Sequence, residues 1–477
     1  MSAVPFRLAA AALLLALAAC RSTEIAAPSA VRLPANFEHV GAAQGSADIA
    51  RWWRQWPDAQ LQSLIEQGLA HSPDIAAAQS RLAEARATAR LAGAELNPQL
   101  GAQAAGYGYH SGRDDPHFGN HATMSSLGLR ASWEPDIFGK KRSDADAARA
   151  AALGVQEQLY GSRLLVAAEI AEHYLHALRI LEQQTLLERR AATLRQLQRY
   201  AAGRFRAGQA SAHDTDAAAA AVQALAARQA TLAAEFDRHR RSIAVLTGQT
   251  PQDFRLDTDA MRRAALLQHL PAAPQGQQPA DLLEQRPDIR ARAAEVQAYA
   301  AKLASAKADL LPRFEIKFLW QTGRIELGSD LALLNNQRSS SGGLLSLGVQ
   351  LPIFTGGRIR ANIDAADARL KTALLRYDQT LLQALADVDN AYQAQAALAR
   401  QQERIAAAAQ TAAKQMRDDR LLFRHGRKTL DVALQAELSA ADADEKLADS
   451  RLAAGLNLIN LYKALGGGWQ PENGAGR

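Results

Sequence analysis

Between Leu345 and Leu351 the chain alternates strictly. Leu345, Leu347, Val349 and Leu351 point one way, and Ser346, Gly348 and Gln350 the other. That is the period of a strand with one apolar and one polar face. Pro352 ends the ladder, Thr355-Gly356-Gly357 supplies a turn and cap, and from Arg358 the text becomes Ala-rich with helical spacing. The same arrangement stands earlier. Leu127, Leu129, Ala131 and Trp133 alternate with Gly128, Arg130, Ser132 and Glu134; Pro135 closes the strand, Ile137-Phe138-Gly139 turns it, and a helix leaves from Lys140. Two further strands precede these: a Gly- and Ala-rich one at 98–109, and one in which Phe314, Ile316, Phe318 and Trp320 alternate with Glu315, Lys317, Leu319 and Gln321. The polar stretches 110–122 and 323–342 read as loops within each pair.

Helical text fills most of the remainder. A helix opens at about Asp58 with Leu61, Leu64, Ile65 and Leu69 on one stripe, Pro73 breaks it, and Asp74 caps a second helix to about Glu95. From Lys140 to about Ala202 there is no proline; these 63 residues would make a rod of about 95 Å. Ser211 is a plausible N-cap for a helix to Leu246, ended by Thr247-Gly248. Then the order recurs. Pro73-Asp74-Ile75 is answered by Pro287-Asp288-Ile289 and Pro98 by Pro312, both 214 positions on. Phe138 matches Phe354, Tyr174 matches Tyr392, Phe205-Arg206 matches Phe423-Arg424, and Leu246-Thr247-Gly248 matches Leu465-Gly466-Gly467. This is a tandem duplication of one helix–strand–strand–long helix–helix unit. The expected organisation is a leader at 1–19, a tether and equatorial segment at 20–70, a first repeat at 71–248, an irregular Pro- and Gln-rich linker at 249–285, a second repeat at 286–467 and a tail at 468–477.

The leader changes where this fold must work. Arg7, the apolar run Leu8 to Ala19 and the small residues Leu17-Ala18-Ala19-Cys20 read as a secretory signal that resembles the bacterial lipobox, whose cysteine is acylated after cleavage. Cys20 is the only cysteine, so no intrachain disulfide can form. Arg21 follows, where retention at the inner membrane usually takes Asp, so outer-membrane sorting is implied. The formal charge of +6 is spread over interspersed Arg, Asp and Glu rather than gathered in a basic block, which argues against nucleic acid. After the leader no run of about 18 apolar residues occurs, so any crossing of a bilayer must use strands. Four strands cannot close a barrel, and an open edge in lipid leaves backbone groups unpaired. Identical copies must complete the wall. Two would give eight strands around a packed interior, and three would give twelve and a passage.

The ordered set of motifs is similar to the TolC-like outer-membrane factors of tripartite efflux systems, in the lipoprotein branch called NodT or OprM-like. The matching text is Leu17-Ala18-Ala19-Cys20, Trp53-Arg54-Gln55, Trp133-Glu134 with Asp136-Ile137-Phe138-Gly139, Arg286-Pro287-Asp288-Ile289, and Leu351-Pro352-Ile353-Phe354 with Gly356-Gly357-Arg358. The resemblance implies a mainly α protein with a membrane β-barrel: a homotrimer in which four strands per chain complete a 12-stranded barrel continued by a long α-helical periplasmic tunnel. It implies a periplasmic adaptor and an inner-membrane pump of the RND type as partners, with Cys20 as the lipid attachment. A passive duct for small molecules such as drugs needs no catalytic residue and no cofactor, and no serine elbow, HExxH or phosphate loop is present. A duct for a type I protein secretion system and a non-channel envelope scaffold stay open as alternatives.

For the gate, the helix turns Phe205–Asp214 and Phe423–Asp431 are expected. The family places acidic residues just after the second turn, and Asp431 matches; three such carboxylates around one axis would favour cations. Phe423, Arg424, Arg427 and Lys428 lie beside it, and the three cations are expected to hold the mouth shut by ion pairs. Asp431 as an ordinary first-turn acid is the plainer reading. Phe205, Gly208 and Asp214 form the turn expected to face the adaptor. His110, His117 and His121, with Asp114 and Asp115, carry metal-donor types, but their spacing fits no fixed face and a plain surface loop is the expectation.

Overall fold

The computed structural model describes residues 29–115, 119–328 and 337–468. Cys20 and His117 lie outside them. The chain divides into two units. One holds residues 83–154 and 292–377, and within it lies a single sheet of four antiparallel strands in the order β1-β2-β3-β4: β1 Gln99–Asp115, β2 Gly119–Trp133, β3 Arg313–Gly328 and β4 Gln337–Gln350. The register confirms the alternation. Ala131, Phe318 and Leu345 share one row, and Trp133, Ile316 and Leu347 the next, on one face. Gln99, Ser132, Lys317 and Ser346 share a row on the opposite face. Among the described residues no layer covers the apolar face, with Leu347 76% and Leu100 75% exposed.

The strands run well past the alternating text. His110 pairs with His121, and Gly323 with Ser340, so most of 110–122 and much of 323–342 is strand rather than loop. Polar residues join the ladder because its backbone bonds ask nothing of the side chains once register is set.

The helices repeat in length as in sequence. We label α1 Ala59–His71, α2 Pro73–Ala94, α3 Lys140–Arg206, α4 Ala212–Leu246, α5 Thr258–Ala264, α6 Leu282–Gln285, α7 Pro287–Ala308, α8 Arg358–Arg424 and α9 Leu430–Ala464. α2 and α7 both have 22 residues, α3 and α8 both 67, and α4 and α9 both 35. Asp58 caps α1 by accepting from the Gln60 and Leu61 N–H groups, as expected. The cap of α2 is Ser72 rather than Asp74: Ser72 C=O already accepts the first helical bond from Ala76, and Pro73 takes the first helical position, where its missing N–H is no loss. Asp74 sits in the first turn, where its charge suits the helix dipole. The linker is less irregular than its composition implies, since it contains α5, capped by Asp257, and α6.

The second unit holds residues 30–82, 155–291 and 378–468 among those described. Its core joins chain segments far apart in sequence. Trp52 stacks on Tyr462 with ring centroids 5.1 Å apart, and Trp56 packs edgewise on Trp52. The Tyr462 hydroxyl donates to Gln55 Oε1 at 3.3 Å. The repeat-related tyrosines do equivalent work: Tyr174 donates to the buried Asp58 carboxylate at 2.8 Å, and Tyr392 to the Pro274 carbonyl at 2.8 Å. Glycines close both repeats alike. Gly248 (φ +70°) leaves a would-be Cβ 2.5 Å from the His71 carbonyl oxygen, and Gly466 (φ +88°) leaves one 2.5 Å from that of Gln285.

One polar cluster lies in this helical packing. His173 Nδ1 and His239 Nδ1 are 3.0 Å apart, and the His176 ring stacks on His239 with centroids 4.9 Å apart. Burial, then the neighbouring His176 and His173, then Arg238, push His239 down to about 4. His173 and His176 are lowered too, chiefly by burial, with Glu172 opposing.

Two expectations follow. Gly248→Ala combines left-handed backbone with a clash against backbone, and should destabilise by about 1–3 kcal/mol, read as a lower midpoint of thermal unfolding. Because His239 binds its proton more weakly folded than unfolded, its neutral form favours the fold above the ordinary histidine pKa, and that stability is lost as pH falls from about 6.5 toward about 4. His239→Gln should flatten the pH dependence of unfolding in that window; an unchanged slope would exclude the cluster as its source.

Candidate functional site

The two helix turns at the ends of α3 and α8 are built alike. Gly208 and Gly426 both take φ +68°. Gly208 N–H donates to Phe205 C=O at 3.0 Å and Gln209 N–H to Arg204 C=O at 2.8 Å; Gly426 and Arg427 repeat this onto Phe423 and Leu422 at 2.9 and 2.8 Å. Only a residue without Cβ enters that conformation without cost, and the paired bonds satisfy the last helical carbonyls. The Phe-Arg-x-Gly text in each repeat is therefore a helix stop.

The outgoing helices start differently. Ser211 caps α4 as expected, and Asp214 closes a reciprocal capping box by accepting from Ser211 N–H at 2.9 Å and Ser211 Oγ at 2.8 Å. These bonds hold the Asp214 carboxyl below its ordinary value. Asp214 thus has a structural task at the turn. At the other turn Thr429 precedes α9 without capping it through its side chain. Asp431 Oδ1 is buried without a hydrogen-bond partner among the described residues. Thr429 is the largest cause of the Asp431 carboxyl being held below the usual carboxylate range, with Tyr200 and Arg204 of α3 acting in the same direction.

Asp431 lines a cleft of about 620 Å³ with Leu197, Asp419, Lys428 and Gln435, so α3, α8 and α9 converge there. The expected ion pairs take another form. Lys428 pairs with Asp419 on its own hairpin, and Arg424 and Arg427 are exposed and make no ion pair among the described residues. Phe423 is half-buried, while Phe205 is exposed. Farther along α9 a row of acids meets basic residues of its neighbours: Glu437 with Arg420 at 3.4 Å, Asp442 with Arg190, Glu445 with Arg228, and Asp449 with Arg179 at 2.7 Å. Sequence reading missed this ladder, Tyr200 and Arg204. Its one local signal was the acid spacing of 442, 445 and 449 on one helical face.

Of the histidine group, His110 and His121 fall on strands instead of a loop, opposite one another across β1 and β2, and His117 lies outside the described residues. Among the described residues no group of three or more His, Cys, Asp or Glu is placed to hold a metal ion.

The repeat is also what a family model matches. The outer membrane efflux protein model matches residues 64–249 and again 279–467. The chain belongs to the outer membrane efflux protein family. Among its relatives is the pyoverdine export outer membrane protein OpmQ of Pseudomonas aeruginosa, 28% identical over 96% of each chain. The cation efflux system protein CusC of Escherichia coli K12 is 27% identical, over 88% of this chain and 89% of its own. The outer-membrane channel OprN superposes with a TM-score of 0.79 at 24% identity, over 94% of this chain and all of that one, which fixes the fold as that of these channels. The chain is thus an outer-membrane efflux component with the TolC-like fold and an internal tandem repeat, as its motifs imply.

Proposed function

We propose that three copies of this chain close a twelve-stranded barrel in the outer membrane and form the passive duct of a tripartite pump. The observation that carries this is the sheet itself. It has four strands, unpaired outer edges on β1 and β4, and an apolar face left open by its own chain. In lipid an open edge would strand several backbone groups at a cost of several kcal/mol each, whereas closure through identical copies pairs them all. Eight strands would enclose a packed interior; twelve leave room for cargo. Cys20, acylated after removal of residues 1–19, would anchor the same membrane, and a lipid chain there holds without spanning.

The helical turns would then lie in the periplasm, where a periplasmic adaptor and an inner-membrane pump, of the RND type, engage them. Phe205, Gly208 and Asp214 form the exposed turn offered to the adaptor. Asp431 from each copy would ring the mouth. In this reading the closed mouth is held by the α9 acid ladder, since α9 cannot swing away from α3 and α4 without parting those pairs, and Tyr200 and Arg204 favour the charged form of Asp431 beside it. Relatives of nearly equal similarity carry names for pyoverdine export and for cation efflux. That pairing supports a duct whose cargo, small molecules here, is chosen by the pump.

Native mass measurement in mild detergent should return a trimer that heat converts to monomer; monomer alone would remove the proposal. In planar bilayers, Asp431→Ala should raise the leak conductance or weaken block by divalent cations, and Arg190→Ala with Arg228→Ala should raise the open fraction. Currents indistinguishable from wild type in all of these would remove the gate assignment and leave the duct standing.

A further inference from the structure

The tandem repeat predicts a specific contact that one copy cannot make with itself. Inside the chain the two repeats meet along the seam between β2 and β3. There Phe138, in the turn after β2, packs against Phe314, the second residue of β3, with ring centroids 6.4 Å apart. Below it Lys140, the first residue of α3, pairs with Asp309, just past the end of α7, at 2.9 Å.

Each partner has a repeat-related counterpart. Phe354 stands in the turn after β4 as Phe138 does after β2. Leu100 is the second residue of β1, two positions after Pro98, as Phe314 follows Pro312. Arg358 opens α8 as Lys140 opens α3, and Glu95 lies just past α2 as Asp309 lies past α7. All four counterparts are exposed: Phe354 by 90% and Leu100 by 75%, with Ile353 beside Phe354 at 92%, and Arg358 and Glu95 likewise. β4 and β1 are the opposite edges of the sheet, so within one copy these residues cannot repeat the seam.

We infer that the Ile353-Phe354 turn of one copy packs on Leu100 of a second copy, with Arg358 paired to Glu95 beneath, reproducing between copies the seam that Phe138, Phe314, Lys140 and Asp309 make within one. The inference rests on the trimeric reading but goes further, since a closed ring does not by itself say which side chains fill its joints. Two nearly naked apolar side chains match where the repeat has an aromatic pair, and opposite charges match where it has an ion pair. An aromatic ring and a leucine removed together from water favour the joint, and the contact recurs at every joint of the ring.

The test is site-directed cross-linking of the full-length protein in outer-membrane vesicles. A short bis-maleimide should convert the Leu100→Cys/Phe354→Cys double variant into covalent dimers and trimers on a denaturing gel. Leu100→Cys and Phe354→Cys alone should stay monomeric, because like residues of a three-fold ring are far apart. Phe138→Cys/Phe314→Cys, the intrachain seam, calibrates the reagent and should give only an internally linked monomer. Arg358→Glu should lower the temperature at which the trimer dissociates, and adding Glu95→Arg should restore it. A trimer by native mass with neither the cross-link nor the charge rescue would overturn the contact and place Phe354 against lipid or water. Absence of any trimer would instead sink the reading beneath it.

Discussion

A backbone amide that leaves water must find another partner, and this requirement shapes the molecule more than any side chain does. Among the described residues β1 and β4 each lack a neighbour on one side, and the apolar rows around Phe318, Leu345 and Leu347 invite the surroundings in which an unmet N–H costs most. Charged or proline-blocked edges are the usual defence of a solitary sheet. β4 carries Leu344, Leu345, Leu347 and Val349 in quick succession instead. Such an edge is tolerable only as half of a joint.

Duplication supplies the joint economically. Having learned one seam between β2 and β3, the chain can reuse its plan wherever β4 meets another β1. The matched helix lengths and the matched glycine stops at Gly208 and Gly426 show how closely the two halves still agree. They differ at the start of the outgoing helices. The first turn is locked by a Ser211–Asp214 capping box, and the second has no side-chain cap, its acid Asp431 being influenced by Thr429 and by Tyr200 and Arg204 of α3. One turn is built to be rigid and its twin to depend on what lies beside it.

Much of this was legible in the sequence because it rests on local rules. Period-two alternation located three strands and Gly- and Ala-rich text the fourth, prolines marked their ends, and Ser211 and Asp58 announced their helices. Strand length was not legible: past Tyr109 and Gln321 the polar text satisfies no period, and only pairing shows that the ladder continues. The surroundings of Asp431 were hidden for a different reason. Tyr200 and Arg204 lie more than two hundred positions away, and the adjacent Arg424 and Arg427, which sequence proximity recommended, point into solvent. Charge neighbours along a chain are poor guides to charge neighbours across a helix bundle.

The stacking of Trp52 on Tyr462 carries a consequence for assembly. It joins the Trp-rich segment at 52–56 to the closing turn of α9, a separation of some four hundred residues. Contacts that distant form late and slowly. The tryptophan-rich segment at 52–56 therefore stays without its aromatic partner until the last helix has folded, and its indole rings remain exposed to solvent or to other chains for that time.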